Sequence, residues 1–513
     1  MSPLRPSWTS ATSALATSAL AAAILVWATP VLPQQDTPNH VAITAALHAV
    51  GAGDPSASEH FESVLTFAPY HGFYVAALAL TSFVDASSAV RVLVGAYAGG
   101  FVLAFAFFLG ALDPRKRLLA PLGIVAVFSD SYFLGFLPFL AALPLVLLLW
   151  GATVRAVRGG PRATTMLAFA VFAGLSALWF HPMAAGVGLA GALALALAFA
   201  TDRAGAVRGA FAVGVPGVAL VAALLGQVRD EPTLRLSRAF DVEYLARSTF
   251  FAADLLGGVM RLLGALSVLG VLAVVAHGMA RSREGRRFAV RWRGSALLLL
   301  AVLLALYFVL PFGRGAGVWL NLRLAPLVLC ALVALVPADV ADGSLVRWAA
   351  WAHAMVLLVA VAQCHLGFDA EARAFEAATA AMPTNARVLP LFFDRKSRVF
   401  EPFYVESKEI PFYAAYTHFA SYAVANRGGV TPFMTFQGTL AWVPLRLRNP
   451  AYARDFAIVD VFRPKTLLKR LPGLASEFDV VLARGADAEQ SAALNKLGVR
   501  IAESGPFAVY RLR

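Results

Sequence analysis

Acidic and histidine residues follow the first long apolar stretch of the chain. The segment Gln35-Asp36-Thr37-Pro38-Asn39-His40 comes directly after the apolar residues 11–33. A carboxylate at a membrane boundary can act as a general base or hold a divalent metal ion, and His40 lies on the same face as Asp36 if the segment is helical. Pro38 suits the first turn of such a helix. Asp36 is therefore a candidate catalytic or metal-binding acid with His40 as its catalytic partner, or else the N-cap of that helix.

A second acid, Asp130, occurs in the segment Ser129-Asp130-Ser131-Tyr132, just before the apolar run Phe133–Trp150. If Asp130 and Asp36 face the same side, the two carboxylates could share a Mg²⁺ or Mn²⁺ ion or divide acid and base roles. Tyr132 is a candidate substrate contact beside it. The alternative is that Asp130 only caps the following helix.

Arginine and histidine side chains near other apolar boundaries are candidate substrate contacts. Arg323 lies where an apolar run begins, and an arginine at that depth needs an anionic partner or a route to the headgroups. A lipid phosphate would supply the anion, because a guanidinium offers phosphate two aligned donors. Arg314, Asn321, His181 and His71 are further candidates. An ordinary lipid headgroup contact would explain Arg323 equally well.

The composition is that of a membrane protein. Hydrophobic residues make up 59% of the chain and charged residues 14%, which exceeds what a soluble core could enclose. The formal net charge of +13 does not indicate nucleic-acid binding, because the basic residues stand in short clusters between apolar runs. Cys330 and Cys364 lie in or at the end of such runs, which excludes a disulfide framework and a CxxC metal site.

Eleven apolar stretches are candidates for membrane spans. They lie at about 11–33, 88–112, 117–129, 134–152, 163–180, 184–200, 208–226, 257–277, 295–311, 323–337 and 348–364. The first could be a cleaved signal peptide, but the many spans after it favour a retained helix. With the N-terminus cytoplasmic, sixteen Lys and Arg residues lie in the inner segments and five in the outer loops. This distribution predicts that Asp36 and Asp130 face outside a plasma (inner) membrane.

The first outer loop, residues 34–87, is long and contains no Lys or Arg. The run Phe73–Val84 could form another span, but that span would place the arginine cluster at 281–293 outside. We therefore expect Phe61–Val84 to be an amphipathic or re-entrant element at the outer surface.

Residues 365–513 have ordinary charge density, so we expect a multi-span domain over 1–364 and a soluble extracytoplasmic (periplasmic) α/β domain after it. Four segments are predicted strands and two are predicted helices. The strands are Arg387–Phe393, Phe456–Phe462, Asp479–Ala483 and Phe507–Leu512, and the helices are Tyr416–Asn426 and Ala486–Leu497. The aromatic positions 413, 416 and 422, with His418 among them, are spaced as a helical stripe that favours core packing over an acceptor surface.

This arrangement resembles the GT-C class of membrane glycosyltransferases, which take a sugar from a polyprenyl-phosphate carrier on the non-cytoplasmic face. The shared features are the acid after the first span, the long first outer loop, the second outer acid, the many spans and the outer C-terminal domain. Asp-Thr-Pro-Asn-His and Ser-Tyr-Phe-Leu-Gly-Phe look like stretches of poorly characterised bacterial members. The resemblance implies that Asp36 is the catalytic base or metal-linked acid, Asp130 the second acid, and Arg323 or Arg314 the carrier-phosphate contact.

The function expected from this resemblance is glycosyl transfer to an acceptor whose identity the residues do not indicate. The chain has no GxxxxGK[ST] loop, and a sugar phosphate is already activated without ATP. A transporter or lipid flippase is an alternative that predicts polar residues in mid-span and matched broken helices. A non-catalytic membrane assembly protein is another, and in that case the acids are only caps.

Overall fold

The computed structural model describes residues 8–227, 295–310, 322–399, 414–434, 443–449 and 458–513, with a few single or paired positions between these ranges. Most elements in these ranges are helices. In chain order, the helices up to residue 227 are α1 (Trp8–Leu25), α2 (Thr37–Gly51), α3 (Pro55–His60), α4 (Gly72–Thr81), α5 (Ala86–Leu112), α6 (Ile124–Val127), α7 (Asp130–Leu134), α8 (Leu137–Arg158), α9 (Ala163–Phe180), α10 (Pro182–Phe199) and α11 (Arg203–Gln227). Those that follow are α12 (Leu297–Val309), α13 (Ala325–Ala334), α14 (Ala338–Ala341), α15 (Ser344–Thr379), α16 (Ala420–Arg427), α17 (Pro464–Arg470) and α18 (Ala488–Leu497).

Within the described ranges, six helices are long and apolar enough to cross a membrane, so the chain is a multi-pass membrane protein. They are α5, α8, α9, α10, α11 and α15. Shorter apolar helices form at four other places, among them α1, α12 and α13 over parts of the predicted spans at 11–33, 295–311 and 323–337. Most of the predicted span at 257–277 lies outside the described residues, and positions 269–270, 272–274 and 276–277 at its end are helical.

The predicted span at 117–129 is wrong as a regular helix, although the chain does run back along the bundle there. Arg158, at the C-terminal end of α8, donates from Nη1 to the carbonyl of Ala111, near the C-terminal end of α5, at 2.6 Å. The C-terminal ends of these two helices therefore lie together. The segment between them must therefore return to the opposite end. It does so as a 3₁₀ helix, Pro114–Gly123, followed by α6. Pro121 interrupts regular helix formation, and residues 119–136 are all buried, so protein rather than lipid surrounds this irregular backbone.

The predicted outer loop 34–87 folds into α2, α3, α4 and the short strand β1 (Phe61–Ser63). The run Phe61–Val84 is thus divided between a strand and a ten-residue helix. β1 pairs in antiparallel register with β5 (Leu445–Leu447), so that Phe61 lies opposite Leu447. This pairing joins the loop to the C-terminal part of the chain.

Four strands of the C-terminal part form one sheet in the order β4 (Val388–Phe392), β6 (Val480–Arg484), β8 (Phe507–Leu512) and β7 (Gly498–Ser504). β4 and β6 are parallel, and the other two pairs are antiparallel. A two-stranded ribbon, β2 (Gly313–Arg314) with β3 (Gly317–Val318), lies before α13 in sequence.

Two sequence predictions for the C-terminal part differ from the structure. The predicted strand Phe456–Phe462 is wrong: Ile458–Phe462 is a 3₁₀ helix, because tertiary context overrides the strand preference of its β-branched residues. The strand β7 was not predicted. Helix α15 runs without interruption through position 364, where the sequence suggested a domain boundary, and ends at Thr379.

Candidate functional site

Asp36 lies at the N-terminus of α2 with its carboxylate turned away from the helix. Its backbone carbonyl accepts the amide of Asn39 at 3.0 Å, which begins the helix as Pro38 at the first turn favours. The side chain accepts no hydrogen bond from the amides of the first turn. Asp36 thus occupies the N-cap position, as the alternative predicted, but its carboxylate makes no capping hydrogen bond and is available for other contacts.

The turn that carries Asp130 packs directly on the backbone of Asp36. The amide of Asp36 donates to the carbonyl of Leu134 at 3.1 Å, and the amide of Gln35 donates to that of Phe133 at 2.9 Å. Gly135 has a φ of +78°, and a Cβ there would lie 3.0 Å from the Asp36 amide nitrogen. Only glycine combines this left-handed conformation with so close an approach.

Asp130 is the first residue of α7, and Ser129 occupies the N-cap position. Its Oδ1 accepts the Ser131 amide at 2.7 Å, whereas Oδ2 is buried without a hydrogen-bond partner among the described residues. Asp130 caps neither α7 nor α8, whose N-cap residue is Phe136. An unpaired buried carboxylate oxygen is costly and favours a functional role over a capping role.

Asp36 and Asp130 have similar electrostatic surroundings. Burial raises the pKa of each carboxyl to about 7. A hydrogen bond from Gln35 opposes the increase at Asp36, and a hydrogen bond from the Ser131 amide opposes the increase at Asp130. The charge of Arg323 also lowers the pKa of both carboxyls. One guanidinium therefore acts on both carboxylates, which places the three groups around one region.

Aromatic rings and a histidine surround the Arg323 guanidinium. Its carbon lies 3.8 Å from the centre of the Phe136 ring and 5.7 Å from that of Phe139. Its Nη1 lies 3.3 Å from Nε2 of His181. Its Nε is buried and has no hydrogen-bond partner among the described residues. The guanidinium therefore keeps a donor for an anion while the rings stabilise its charge.

Tyr70 belongs to the same region, although the sequence analysis did not select it. Its ring centre lies 5.6 Å from that of His181, and its φ of +75° is unusual for a residue other than glycine. Burial raises the pKa of the Tyr70 hydroxyl, Arg323 opposes this increase and Asp36 adds to it. Strained backbone of this kind is often found at functional sites.

The C-terminal part of the chain also reaches Asp36. Nε2 of His418 lies 3.5 Å from Asp36 Oδ1, and the amide of Ala414 donates to Oε1 of Gln35 at 2.8 Å. Ser421 Oγ donates to Oδ1 of Asn39, so α16 is held on α2. The aromatic spacing had suggested core packing for His418, and its ring is indeed buried, but the sequence analysis missed its contact with the acid.

The structure places three other predicted site residues in structural contacts. Nδ1 of His40 lies 2.8 Å from the Tyr74 hydroxyl, which ties α2 to α4. Nδ1 of His71 accepts the Thr66 amide at 3.0 Å. The Tyr132 hydroxyl lies 3.1 Å from Nε2 of His365 on α15. These contacts position the elements around Asp36 and Asp130, and a role in catalysis or substrate binding stays a prediction for each.

The remaining predictions concern Arg314, Asn321 and a metal ion. Arg314 lies in β2, and Asn321 is outside the described residues. Where the structure describes side chains, no group of three or more His, Cys, Asp or Glu residues comes together as a metal site. The residues present therefore do not form a complete donor set for the ion predicted at Asp36 and Asp130.

No family model and no curated protein matches the sequence. Two solved structures are similar in fold, both of ArnT from Cupriavidus metallidurans: one bound to undecaprenyl phosphate and one in the apo state. Each is 11% identical and covers 98% of this chain, with 96% and 98% of ArnT covered and TM-scores of 0.47 and 0.44. A likeness at this identity and these TM-scores extends to neither substrate nor acceptor.

Proposed function

We propose that this protein transfers a sugar from a polyprenyl-phosphate carrier to an acceptor at the end of the bundle where Asp36 and Asp130 meet. The observation that carries the proposal is that the turn of Asp130 packs on the backbone of Asp36, with the amide of Asp36 3.1 Å from the carbonyl of Leu134. The Arg323 guanidinium lies 3.8 Å from the Phe136 ring at the end of the same turn, and its charge lowers the pKa of both acids. Such a site offers a base for an acceptor and a cation for a phosphate side by side.

In this proposal Asp36 is the general base. The acceptor hydroxyl attacks the anomeric carbon of the sugar and its proton moves to the Asp36 carboxylate. The bond between that carbon and the phosphate oxygen breaks, and its electron pair leaves with the carrier phosphate. Asp36 suits this role because its side chain is 14% exposed, whereas Asp130 as a whole is only 1% exposed.

Arg323 would hold the carrier phosphate. Its charge would stabilise the phosphate as negative charge develops on the leaving oxygen, and its buried Nε supplies an unused donor. The apolar tail of the carrier would remain in lipid, which confines the phosphate to the membrane surface near the site. No step of this mechanism passes through a metal ion, although Mg²⁺ or Mn²⁺ at Asp36 and Asp130 stays a prediction.

The orientation is part of the proposal. The arginine count places the N-terminus in the cytoplasm and residues 365–513 outside the plasma membrane. Asp36, Asp130 and the C-terminal sheet would then face the cell envelope, where the carrier presents its sugar. Single cysteines introduced at the exposed positions Glu62 and Arg203 test this with a reagent that does not cross membranes. In intact cells we expect labelling at position 62 and no labelling at position 203.

Mass spectrometry of lipids that co-purify with the protein tests the proposal most directly. We expect a polyprenyl phosphate, free or with its sugar, and a loss of that lipid on Arg323→Ala. The sugar found on the carrier then serves as donor in a transfer assay with purified protein. A transporter would bind the lipid without breaking the sugar–phosphate bond, and an assembly protein would retain no carrier, so either result rejects glycosyl transfer.

A further inference from the structure

We infer that the C-terminal part of the chain completes the site, with His418 as a positioning residue that fixes the orientation of the Asp36 carboxylate. This inference rests on the proposed role of Asp36 as the base. It assigns a function to a residue that lies far from Asp36 in sequence and belongs to the segment 414–434.

The contacts of Asp36 are divided unequally between its two carboxylate oxygens. Nε2 of Gln35 lies 3.4 Å from Oδ1, and Nε2 of His418 lies 3.5 Å from the same atom. The structure gives Oδ2 no hydrogen bond from any described residue. The hydrogen bond from Gln35 and the nearby imidazole of His418 both lie at Oδ1, so they restrict rotation of the carboxylate and leave Oδ2 as the oxygen that can accept a proton from a substrate.

His418 is suited to donate rather than to form an ion pair. The His418 side chain is buried, and removal from water disfavours the charged imidazolium. The imidazole is therefore neutral, and its Nε2 can carry the proton that points to Asp36. A neutral donor orients the carboxylate without cancelling the negative charge that makes it a base.

The segment that carries His418 is held firmly on the outer loop. Ser421 Oγ donates to Asn39 Oδ1, and Nδ2 of Asn39 lies 3.4 Å from the carbonyl of Phe433. Ala414 donates to Gln35, so Gln35 is itself positioned by the C-terminal segment. Both donors to Asp36 thus depend on the docking of residues 414–434 against α2.

Transfer kinetics of His418 variants test the inference, with Ser421→Ala as the matched control. Ser421 is buried like His418 and lies in the same segment, 414–434. Its hydroxyl bonds to Asn39 of α2 and not to Asp36. We expect His418→Ala to lower kcat by about 10- to 100-fold with KM for the carrier nearly unchanged, since misorientation of a catalytic group has an effect of this order. His418→Gln, which keeps a donor near the position of Nε2, should recover much of this loss. Ser421→Ala removes one docking bond to α2 but leaves the contact of His418 with Asp36, so its loss should be clearly smaller than that of His418→Ala.

Three results would overturn the inference: equal losses in His418→Ala and Ser421→Ala, no loss in His418→Ala, or no recovery in a folded His418→Gln protein. Formation of a disulfide by the pair Asn39→Cys and Ser421→Cys in membranes checks the docking independently of activity. Absence of that disulfide also rejects the inference. If the wild type docks in this way but transfers no sugar, the proposed function fails, and the role of His418 as positioner of a catalytic base fails with it.

Discussion

The two acids at the centre of the site lie in differently built regions. Asp36 follows α1 in a segment that receives side chains from the C-terminal part, and both donors near its carboxylate lie at Oδ1. Asp130 lies in a turn that is buried on every side, with Oδ2 unpaired among the described residues. Burial raises the pKa of both carboxyls to about 7, so the acids differ in access and in contacts rather than in basicity.

This difference in access indicates which acid removes the acceptor proton and which acts only through its charge. A base has to reach the proton that it removes, and only the Asp36 side chain has appreciable exposure. Asp130 can act on the site through its charge, by balancing Arg323, without touching an acceptor. Paired acids in one site therefore need not have equivalent roles, and substitutions should separate them.

The largest expected effect is that of Asp36→Asn. An amide cannot accept the acceptor proton, so we expect transfer to fall by about 10²- to 10⁴-fold, the usual contribution of a general base. The initial rate of transfer from the identified carrier-linked sugar measures this loss.

Asp130→Asn is the matched comparison, because it makes the same change in the buried turn. We expect a loss of roughly tenfold, equivalent to about 1.4 kcal/mol, because only a charge near Arg323 is removed. Equal losses in the two variants would contradict the division of roles, and a fully active Asp36→Asn protein would exclude Asp36 as the base.

The next effect concerns the contact between the two regions. In Gly135→Ala the new methyl group would meet the amides of Asp36 and Thr37 at 3.0 Å, so we expect the acid to be displaced and transfer to fall by up to about 100-fold. The rate of transfer by protein that remains monodisperse in detergent measures the effect.

Gly160→Ala is the control for backbone strain. Gly160 also has a left-handed φ, of +100°, but a Cβ there would meet nothing within 4 Å. Both substitutions introduce strain of about 1 kcal/mol, and only Gly135→Ala should lose activity. Similar activity in the two variants would show that the close approach at Gly135 does not set the position of Asp36.

The placement of both acids at one end of the bundle could be predicted from the sequence, because arginine clusters between apolar runs fix the direction of each helix. The helix Ala163–Phe180 was predicted with its observed ends. The sequence predicts a span over 117–129 because its residues are apolar, although Pro121 argues against a regular helix there. Hydropathy records that a segment is buried, and it does not distinguish burial in lipid from burial in protein.

The C-terminal contribution to the site could not be predicted in the same way. His418 lies in an aromatic stripe whose spacing is typical of a core helix, and its contact with Asp36 depends on how α16 docks on α2. Tyr70 has a positive φ, which is usually found at glycine or asparagine, so no feature of its own residue type marks the turn. Contacts of this kind arise from tertiary packing rather than from local pattern.

A smaller effect is the pH dependence of transfer. Asp36 must be ionised to act as a base, so transfer should rise with pH up to about 7, the pKa to which burial raises this carboxyl, and level off above it. Below that value the rate should fall by about tenfold per pH unit if one carboxylate must ionise, and by about 100-fold if both must.

The pH profile of Asp130→Asn distinguishes these cases. We expect a slope of one in Asp130→Asn. In the wild type the slope should be steeper just below pH 7, where protonation of Asp130 adds at most the tenfold loss expected for Asp130→Asn, and should return to one at lower pH. A wild-type slope of two that becomes one in Asp130→Asn would assign ionisation of both acids to catalysis. A flat profile would contradict a base with a raised pKa.

The smallest effect on transfer is expected at Tyr132, beside Asp130 in the buried turn. Its hydroxyl lies 3.1 Å from Nε2 of His365, so Tyr132→Phe removes this partner and should lower the free energy of unfolding by about 1–3 kcal/mol. Transfer and the KM for the carrier should remain unchanged, because the hydroxyl is already engaged within the protein. Tyr97→Phe is the control, since the Tyr97 hydroxyl donates at 2.8 Å to the backbone carbonyl of Val127 and not to a side chain of the site. The two variants should lose similar thermal stability in detergent. An increase in the KM for the carrier in Tyr132→Phe alone would instead show that Tyr132 contacts the substrate. The turn around Asp130 would then be part of the binding surface.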